Sequence, residues 1–292
     1  MKKRILFIIN PISGVQTKAG LPELIPQFFS EQEFIVVTEY TQYAGHAHLI
    51  AQKAAHLGYD AVIAVGGDGT INEVGSALVG TETALGIIAM GSGNGLARHL
   101  KLPLKPKQAL RVISGFNTAK IDTGLINGKP FIGIAGLGFD AYIGKKFSRH
   151  GKRGFFTYLK LVLKEYLSFR ERTLILKRKG NKETVKAMMV TVANSSQFGN
   201  NAVIAPDAVL DDGQLRLCIV RKFPLYKAPW IAYLMVTRQI HRSAYLNIYP
   251  VKKVTIKQSK KLAHLDGEPL KIGKKVKIKV LPASLKILVQ AG

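Results

Sequence analysis

The sequence is poor in cysteine, in acidic side chains and in long apolar runs. Its 292 residues include one cysteine, Cys218, which excludes an internal disulfide framework. Cys218 lies in the apolar run 217–220, and we predict that it is a core residue. No run reaches the ~18 apolar residues of a membrane-spanning helix. The expected setting is therefore a reducing cytoplasm, and any contact with the inner membrane face would be peripheral.

Acidic residues are far outnumbered by basic ones. The chain has 43 Lys and Arg residues against 18 Asp and Glu residues, a formal net charge of +25. Such a balance favours polyanionic partners: nucleic acid, anionic lipid surfaces or phosphorylated ligands. With 47% hydrophobic residues, the chain is long enough for two modest domains, each with a buried core.

Several familiar site patterns are missing as well. There is no G-x-x-x-x-G-K-[S/T] and no G-x-G-x-x-G, which excludes a P-loop NTPase and a standard dinucleotide site. The seven histidines show neither an HExxH pattern nor paired Cys/His spacing, so we predict ordinary surface or core roles for them.

The first part of the chain alternates short apolar strands with helical patterns. We predict strands over 5–9, 34–37, 61–65 and 84–88, and helices over 21–30, 45–57, 70–79 and 106–114. This alternation predicts a three-layer α/β domain with a parallel sheet over residues 1–123, which a late strand in 284–292 can complete. Its glycine-rich turns follow the strands, at the edge where such sheets bind ligands.

After about Asp122 the pattern changes to clustered β-like runs, at 172–178, 184–193, 214–221, 246–256 and 276–280. They predict a mostly antiparallel β-sandwich over residues 124–283. Two helical patterns interrupt it, at 155–169 and 227–240. In the second, Trp230, Tyr233 and Leu234 are predicted to form a packed stripe.

A short acidic island, Gly66-Gly67-Asp68-Gly69-Thr70, follows the strand at 61–65 and opens a helix. Free backbone N–H groups at such a point bind phosphate, and the glycines let a bulky anion come close. A carboxylate beside phosphates suggests Mg²⁺. The alternative is a tight turn with Asp68 as a solvated cap, which the whole pentapeptide disfavours.

Two further loops follow predicted strands of the same sheet. They are Asn10-Pro11-Ile12-Ser13-Gly14 and Gly91-Ser92-Gly93-Asn94-Gly95, both rich in small residues, hydroxyls and amides. Either one alone would be an ordinary turn. Three at the strand ends of one parallel sheet predict a nucleotide-phosphate site.

In this order, the motifs resemble the diacylglycerol kinase catalytic family, which includes bacterial lipid kinases and sphingosine kinases. The resemblance continues through Gly138-Phe139-Asp140-Ala141, Asp211-Asp212-Gly213 and Leu265-Asp266-Gly267-Glu268-Pro269. It implies an ATP-binding α/β domain followed by a β-rich lipid-substrate domain, with Mg²⁺ as cofactor. The implied reaction transfers the ATP γ-phosphate to the hydroxyl of a membrane lipid, with diacylglycerol as the first expectation.

The resemblance also implies roles for individual residues. The proton acceptor is drawn from Asp266 and Glu268, with Asp68 organising the catalytic Mg²⁺. A structural Mg²⁺ is implied at Asp212, with the carbonyls of Val209 and Gln214. Nucleotide contacts fall on Asn10, Pro11, Ser13, Gly14, Thr41, Gly66, Gly67, Asp68, Gly69, Thr70, Asn72, Glu73, Gly91, Ser92, Gly93 and Asn94.

Without the resemblance, the late acidic motifs have plainer interpretations. The segment 266–269 would be a hairpin turn and the segment 211–213 a turn between strands. A soluble acceptor, as in NAD kinases and phosphofructokinases, does not explain either motif.

The acceptor and the partners stay open at this level. The segment 95–98 resembles the sphingosine kinase version of its loop, so a sphingoid-base kinase is one alternative; a non-catalytic protein that binds anionic membrane or nucleic acid is another. For the kinase we expect no nucleic acid partner, and an edge strand of the second domain could form a homodimer.

Basic clusters would hold the enzyme on an anionic membrane. They comprise Lys145, Lys146, Arg149, Lys152 and Arg153, and the lysines between 252 and 279.

Overall fold

The chain folds into two compact units, and its computed structural model describes residues 1–12, 20–147 and 155–291. The first unit comprises Met1–Thr123 and Ala283–Gly292, and the second comprises Gly124–Pro282. Ser13, Gly14, Arg149, Lys152 and Arg153 lie outside the described residues.

The strands are β1 (Lys3–Ile9), β2 (Phe34–Tyr40), β3 (Ala61–Gly66), β4 (Ala84–Ala89), β5 (Thr118–Ile126), β6 (Lys129–Phe131), β7 (Ile134–Gly138), β8 (Arg172–Arg178), β9 (Asn181–Ala187), β10 (Met189–Ala193), β11 (Leu215–Val220), β12 (Leu246–Val251), β13 (Lys253–Lys257), β14 (Leu262–Leu265), β15 (Glu268–Lys271) and β16 (Lys275–Leu288). The α-helices are α1 (Leu21–Leu24), α2 (His46–His56), α3 (Asp68–Leu78), α4 (Gly95–His99), α5 (Pro106–Ser114), α6 (Phe139–Phe147), α7 (Phe155–Ser168) and α8 (Ala228–Val236). Short 3₁₀ turns occupy Ile25–Phe28, Leu225–Lys227 and Ile240–Arg242.

The first unit is built on a parallel sheet in the order β2-β1-β3-β4, and the end of β16 pairs in parallel with β4. Every residue of β3 and β4 is buried, as expected of strands covered on both faces. Helices α1 and α5 pack on one face through Ile5, Phe7 and Ile63. Helices α2 and α3 cover the other face, and the predicted three-layer α/β architecture is confirmed.

The predicted helix at 21–30 is shorter than expected. It stops as an α-helix at Leu24 and continues as the 3₁₀ turn Ile25–Phe28. Pro26 explains the change, because proline has no N–H to continue the ladder and its ring restricts the preceding residue. The short helix α4 was not expected, since a glycine-rich loop leads directly into it.

The carboxyl ends of β1, β3 and β4 lie side by side. Ile9 is paired with Val65, and Gly66 with Ala89. The loops that follow these strands therefore lie at one edge of the sheet. Gly67 and Gly91 come so close there that a Cβ atom added to Gly91 would lie 2.8 Å from the Cα atom of Gly67.

The second unit is an antiparallel sandwich, as predicted. One sheet continues from the start of β16 in the order β16-β13-β8-β9, and the other has the order β12-β11-β10-β7-β14-β15. Alternate residues of the two sheets face each other across one core. Helices α6, α7 and α8 cover the outer face of the second sheet, where Cys218 is fully buried, as expected, and burial raises the pKa of its thiol.

Several strand predictions are wrong in their bounds. The runs 184–193 and 246–256 each form two strands, because the chain passes from one sheet to the other between Ala187 and Met189 and again between Val251 and Lys253. The runs 276–280 and 284–289 form the single strand β16. Apolar residues continue through both changes, so periodicity alone does not reveal where a strand changes partners.

Helix α8 exposes the aromatic residues that were predicted to pack. Leu234 is buried, but Trp230 and Tyr233 are 57% and 53% exposed and stack on each other with ring centroids 5.3 Å apart. The helix is apolar on nearly every side, so the pattern could not show which side faces the core. Ile231 and Leu234 form the buried seam.

We predict that Gly91→Ala lowers the free energy of unfolding by about 1–3 kcal/mol, because the new methyl group would overlap the backbone of the neighbouring loop. Gly67→Ala is the matched control. Its Cβ atom would lie 3.5 Å from the nearest heavy atom, an ordinary contact, and its φ of −88° suits alanine. Urea unfolding of both variants measures the difference, and equal losses would contradict the close approach.

Candidate active site

Asp68, the first residue of α3, binds the loop that follows β4. Its Oδ2 atom accepts the backbone N–H of Asn94 at 2.9 Å, and its Oδ1 atom accepts that of Gly95 at 2.8 Å. Burial raises the pKa of Asp68, and the two N–H donors and Arg98 oppose the rise. The carboxylate therefore clamps one glycine loop onto the other.

Asn10 joins the loop after β1 to the same centre. Its Nδ2 atom donates to Oγ1 of Thr70 at 3.1 Å, and its backbone N–H donates to the carbonyl of Val65 at 3.1 Å. Its Oδ1 atom accepts the N–H of Ile12 at 3.2 Å, which shapes the start of the loop. Asn10 and Thr70 thus hold the first and third strand ends together.

Glu73 and Thr41 connect the loop after β2 to this edge. The Oε1 atom of Glu73 accepts the N–H of Gly45 at 2.9 Å. The N–H of Thr41 donates to the carbonyl of Ile9 at 2.9 Å, and the residue is buried. In the structure both residues hold loops in position, which the sequence alone did not indicate.

The remaining predicted nucleotide residues occupy the same edge. Pro11 and Ser92 are exposed there, and the carbonyl of Gly93 accepts Nε of Arg98 at 3.1 Å. Gly66 is the last residue of β3, and Gly69 lies in the first turn of α3.

Two amide oxygens at this edge are buried without a hydrogen-bond partner in the described structure. They are Oδ1 of Asn72 and Oδ1 of Asn94. The amide group of Asn94 is oriented by its Nδ2 atom, which donates to the carbonyl of Gly91 at 2.9 Å. A buried acceptor without a partner is costly, so both oxygens suit a bound molecule with hydroxyl or amino donors, such as a nucleoside.

The protein groups around Asp68 do not form a metal cage. Within 1–12, 20–147 and 155–291, no three His, Cys, Asp or Glu side chains lie close enough to hold a metal ion together. Both oxygens of Asp68 already accept N–H groups. The contacts of Asp68 make it a clamp between the two loops, and its role as the organiser of a catalytic Mg²⁺ stays a prediction.

In the second unit, the Asp266-Gly267 motif is the two-residue turn between β14 and β15. The φ angles are 47° at Asp266 and 90° at Gly267, as in a type I′ hairpin turn. The turn interpretation is thus correct as local structure. It also sets the next residue, Glu268, at the start of β15 with its side chain exposed.

The carboxylate of Asp266 is held by three successive backbone N–H groups. Oδ1 accepts those of Gly133 and Ile134 at 2.8 and 2.6 Å, and Oδ2 accepts that of Ile132 at 3.0 Å. A Cβ atom at Gly133 would lie 2.8 Å from Oδ1, so this position needs glycine. Burial raises the pKa of Asp266, and the N–H donors oppose the rise.

A chain of hydrogen bonds that the sequence did not reveal also stabilises this turn. The N–H of Gly267 donates to Nδ1 of His264 at 3.3 Å, so Nε2 carries the proton and donates to Oδ2 of Asp140 at 3.1 Å. Thr191 Oγ1 donates to the same oxygen at 2.9 Å. The only signals in the sequence were the place of Asp140 in the 138–141 motif and the position of His264 two residues before Asp266.

The predicted structural Mg²⁺ site contains a guanidinium group. Oδ2 of Asp212 accepts Nη2 of Arg216 at 2.7 Å, and Oδ1 accepts the N–H of Gln214 at 2.9 Å. Asp207 accepts Nε of the same arginine at 2.9 Å, and the side chain of Val209 is exposed. The residues therefore do not fit a divalent cation, because Arg216 already supplies the positive charge at Asp212.

Comparisons with known proteins identify the family of this chain. Residues 4–126 match the model of the diacylglycerol kinase catalytic domain, and residues 133–289 match that of the YegS C-terminal NAD kinase beta sandwich-like domain. A curated diacylglycerol kinase of Bacillus subtilis is 31% identical over 274 residues, which cover 91% of this chain and 90% of that protein. One of Staphylococcus aureus is 33% identical over 228 residues, covering 76% and 72%.

Solved structures show the same fold. A crystal structure of a diacylglycerol kinase from Bacillus anthracis superimposes with a TM-score of 0.73 at 19% identity, covering 99% of this chain and 97% of that one. A second structure from that organism gives a TM-score of 0.80 at 22% identity, with the same coverage. The matched domains and the two curated relatives together show that this chain belongs to the diacylglycerol kinase family.

Proposed function

We propose that this lipid kinase transfers the γ-phosphoryl group of ATP to the hydroxyl of diacylglycerol. The observation that carries the proposal is the clamping of two glycine loops by Asp68 at one edge of a parallel sheet. Such an edge binds nucleotide phosphates through backbone N–H groups. The curated relatives from B. subtilis and S. aureus carry the name of the diacylglycerol reaction, and this supports the choice of acceptor.

The first unit binds the nucleotide in this proposal. The amide oxygens of Asn72 and Asn94 accept hydrogen bonds from it, while the loops after β1 and β4 contact its phosphates. Mg²⁺ arrives as part of the substrate Mg·ATP, held chiefly by phosphate oxygens, as is usual for this ion. Asp68 contributes by holding the loop after β4 in position against the loop after β3.

The second unit supplies the base, and we assign it to Glu268. Phosphoryl transfer requires a group that orients the acceptor hydroxyl and takes its proton. Asp266 is unsuited to that task because three N–H groups occupy its oxygens. Glu268 is exposed at the end of the turn that Asp266 and His264 hold in place.

Glu268→Gln should lower the rate of phosphoryl transfer about 10²–10⁴-fold by removing the base. Its stability should change by less than about 0.5 kcal/mol, because the side chain is exposed. Asp266→Asn should instead cost about 1–3 kcal/mol of unfolding free energy, because an amide cannot accept all three N–H groups. Labelled ATP with diacylglycerol in mixed micelles measures transfer, and urea unfolding measures stability.

The same assay run against a panel of lipid alcohols, including sphingoid bases, tests the acceptor. Product on a sphingoid base without product on diacylglycerol would contradict our assignment of acceptor. Wild-type transfer rates in Glu268→Gln would contradict the assignment of the base.

Asp68→Ala should raise the KM for ATP by about 10–100-fold while the chain stays folded, because two N–H groups lose a charged acceptor and the loop after β4 is released. Initial rates over a range of ATP concentrations measure the change, and thermal unfolding confirms the fold. An unchanged KM would mean that the clamp does not shape the nucleotide site.

We also propose that the second unit meets the membrane through the exposed sides of α7 and α8. No helix in the described ranges is long and apolar enough to cross a membrane. Leu159, Leu163 and Leu167 recur every four residues along α7 and are 40%, 44% and 67% exposed. Trp230 and Tyr233 are exposed on α8, and residues 213–265 contain no acidic side chain. Apolar and aromatic side chains with basic neighbours are typical of an interfacial surface.

The lysines of β13 and β16 suit this contact less well than expected. Lys253, Lys257 and Lys277 are exposed and alternate with buried core residues, so they point away from the second sheet. Helices α7 and α8 cover that sheet on its other side. One flat bilayer cannot meet both surfaces, and only the helical one offers apolar side chains.

Trp230, the only tryptophan, reports on this contact directly. Its fluorescence should shift to shorter wavelength when vesicles containing phosphatidylglycerol are added, because the ring leaves water. Brominated lipid should then quench it. Vesicles of phosphatidylcholine alone are the control, with a weaker shift expected. Co-sedimentation with anionic vesicles without any change in Trp230 emission would contradict the proposed surface.

A further inference from the structure

A basic pocket lies at the end of the β14–β15 hairpin that is remote from the Asp266-Gly267 turn. It encloses about 930 Å³ between α6, the start of β8 and the outer ends of the hairpin strands. Among the described residues, no carboxylate lines it. Its cationic side chains are Lys145, Lys146, Arg172, Lys260, Lys261 and Lys271. A concave surface with this charge attracts anions strongly.

Arg172 is the best-placed anion ligand in the pocket. Its guanidinium lies over the ring of Phe169, with Cζ 4.9 Å from the centroid. Burial lowers the pKa of Arg172, and the charges of Asp140 and Tyr142 oppose the change. Among the described residues, no carboxylate lies within ion-pair distance of it. A planar, partly desolvated guanidinium without a counter-ion suits bidentate binding of phosphate.

One ion pair offsets part of the positive charge of the pocket. The Nζ atom of Lys146 lies 2.7 Å from Oε2 of Glu165, which also accepts the hydroxyl of Tyr142 at 2.8 Å. Glu165 therefore offsets one of the cations. Lys260, Lys261 and Lys271 are exposed at the rim, where a large anion can reach them.

The position of the pocket links it to the reaction. Lys271 follows Glu268 by three residues on β15, which is about 10 Å along a strand. Helix α6 packs against both the hairpin and α7, so the pocket belongs to the helical side of the unit.

We infer that this pocket binds the phosphate of an anionic phospholipid headgroup and so holds the hairpin that carries Glu268 at the bilayer surface. That the phosphate comes from a bilayer rests on the proposed lipid kinase function. The recognition of phosphate itself rests on Arg172 and its neighbours. Each basic residue near an anionic surface adds to the binding.

Vesicle co-sedimentation of the full chain tests the inference. Three compositions are compared: phosphatidylcholine alone, phosphatidylcholine with phosphatidylglycerol, and phosphatidylcholine with oleate at equal negative charge. We expect the wild type to prefer phosphatidylglycerol over oleate. The double variant Arg172→Gln/Lys271→Gln should lose that preference and bind phosphatidylglycerol vesicles about tenfold or more weakly.

Lys277→Gln/Lys279→Gln is the matched control, with the same change of charge on the opposite side of the sandwich. It should weaken binding by less than about twofold. Equal losses in the two double variants would overturn the inference, since they would show that only total charge matters. If Arg172→Gln does not fold, Lys260→Gln/Lys261→Gln at the exposed rim replaces it, with the same expectation.

A competition experiment distinguishes the phosphate of a lipid headgroup from free phosphate in solution. Inorganic phosphate and glycerol 3-phosphate should displace the protein from phosphatidylglycerol vesicles only weakly, because neither engages the apolar surface. Complete displacement at micromolar concentrations would overturn the lipid assignment in favour of a free phosphate site. Vesicle binding requires no turnover, so a lack of kinase activity would count against the proposed function without affecting this result.

Discussion

In each of the two units, one carboxylate captures backbone N–H groups and so fixes a neighbouring loop. Asp68 accepts the N–H groups of Asn94 and Gly95, and Asp266 accepts those of residues 132–134. In each case one side chain of one loop fixes the backbone of another. Hydrogen bonds to an ionised acceptor are about twice as strong as neutral ones, so each carboxylate can hold a glycine-rich segment that would otherwise lack order. The rest of the site depends on these two contacts.

These contacts distinguish three acidic residues that look alike in the sequence, Asp68, Asp266 and Glu268. The carboxylate oxygens of Asp68 and Asp266 accept backbone N–H groups. Hydrogen bonds of His264 and Asp140 further stabilise the turn that contains Asp266. Glu268 is exposed and accepts no such N–H group among the described residues, which is why we propose it as the base. At Asp212, the guanidinium of Arg216 binds the carboxylate that the family resemblance implied as a metal ligand.

The sequence predicted the architecture well because its signals were local and repeated. Buried strands such as β3 are continuous apolar runs, and each is followed by a glycine turn at the same sheet edge. It predicted the contacts of the site less well. That Glu73 binds Gly45, or that Asp68 binds Gly95, depends on loops brought together by strand order, which no short motif contains. The exposure of Trp230 was missed for a different reason, because α8 is apolar on every side and periodicity cannot then identify the core face.

A crystal structure with a non-hydrolysable ATP analogue and Mg²⁺ tests the central claim, that Asp68 acts as a clamp between the glycine loops. Our account predicts that the Asp68 oxygens stay about 3 Å from the N–H nitrogens of Asn94 and Gly95. It also predicts that the amide oxygens of Asn72 and Asn94 accept hydrogen bonds from the nucleotide. An Asp68 carboxylate that has left both N–H groups and binds Mg²⁺ directly, at about 2.1 Å, would contradict it.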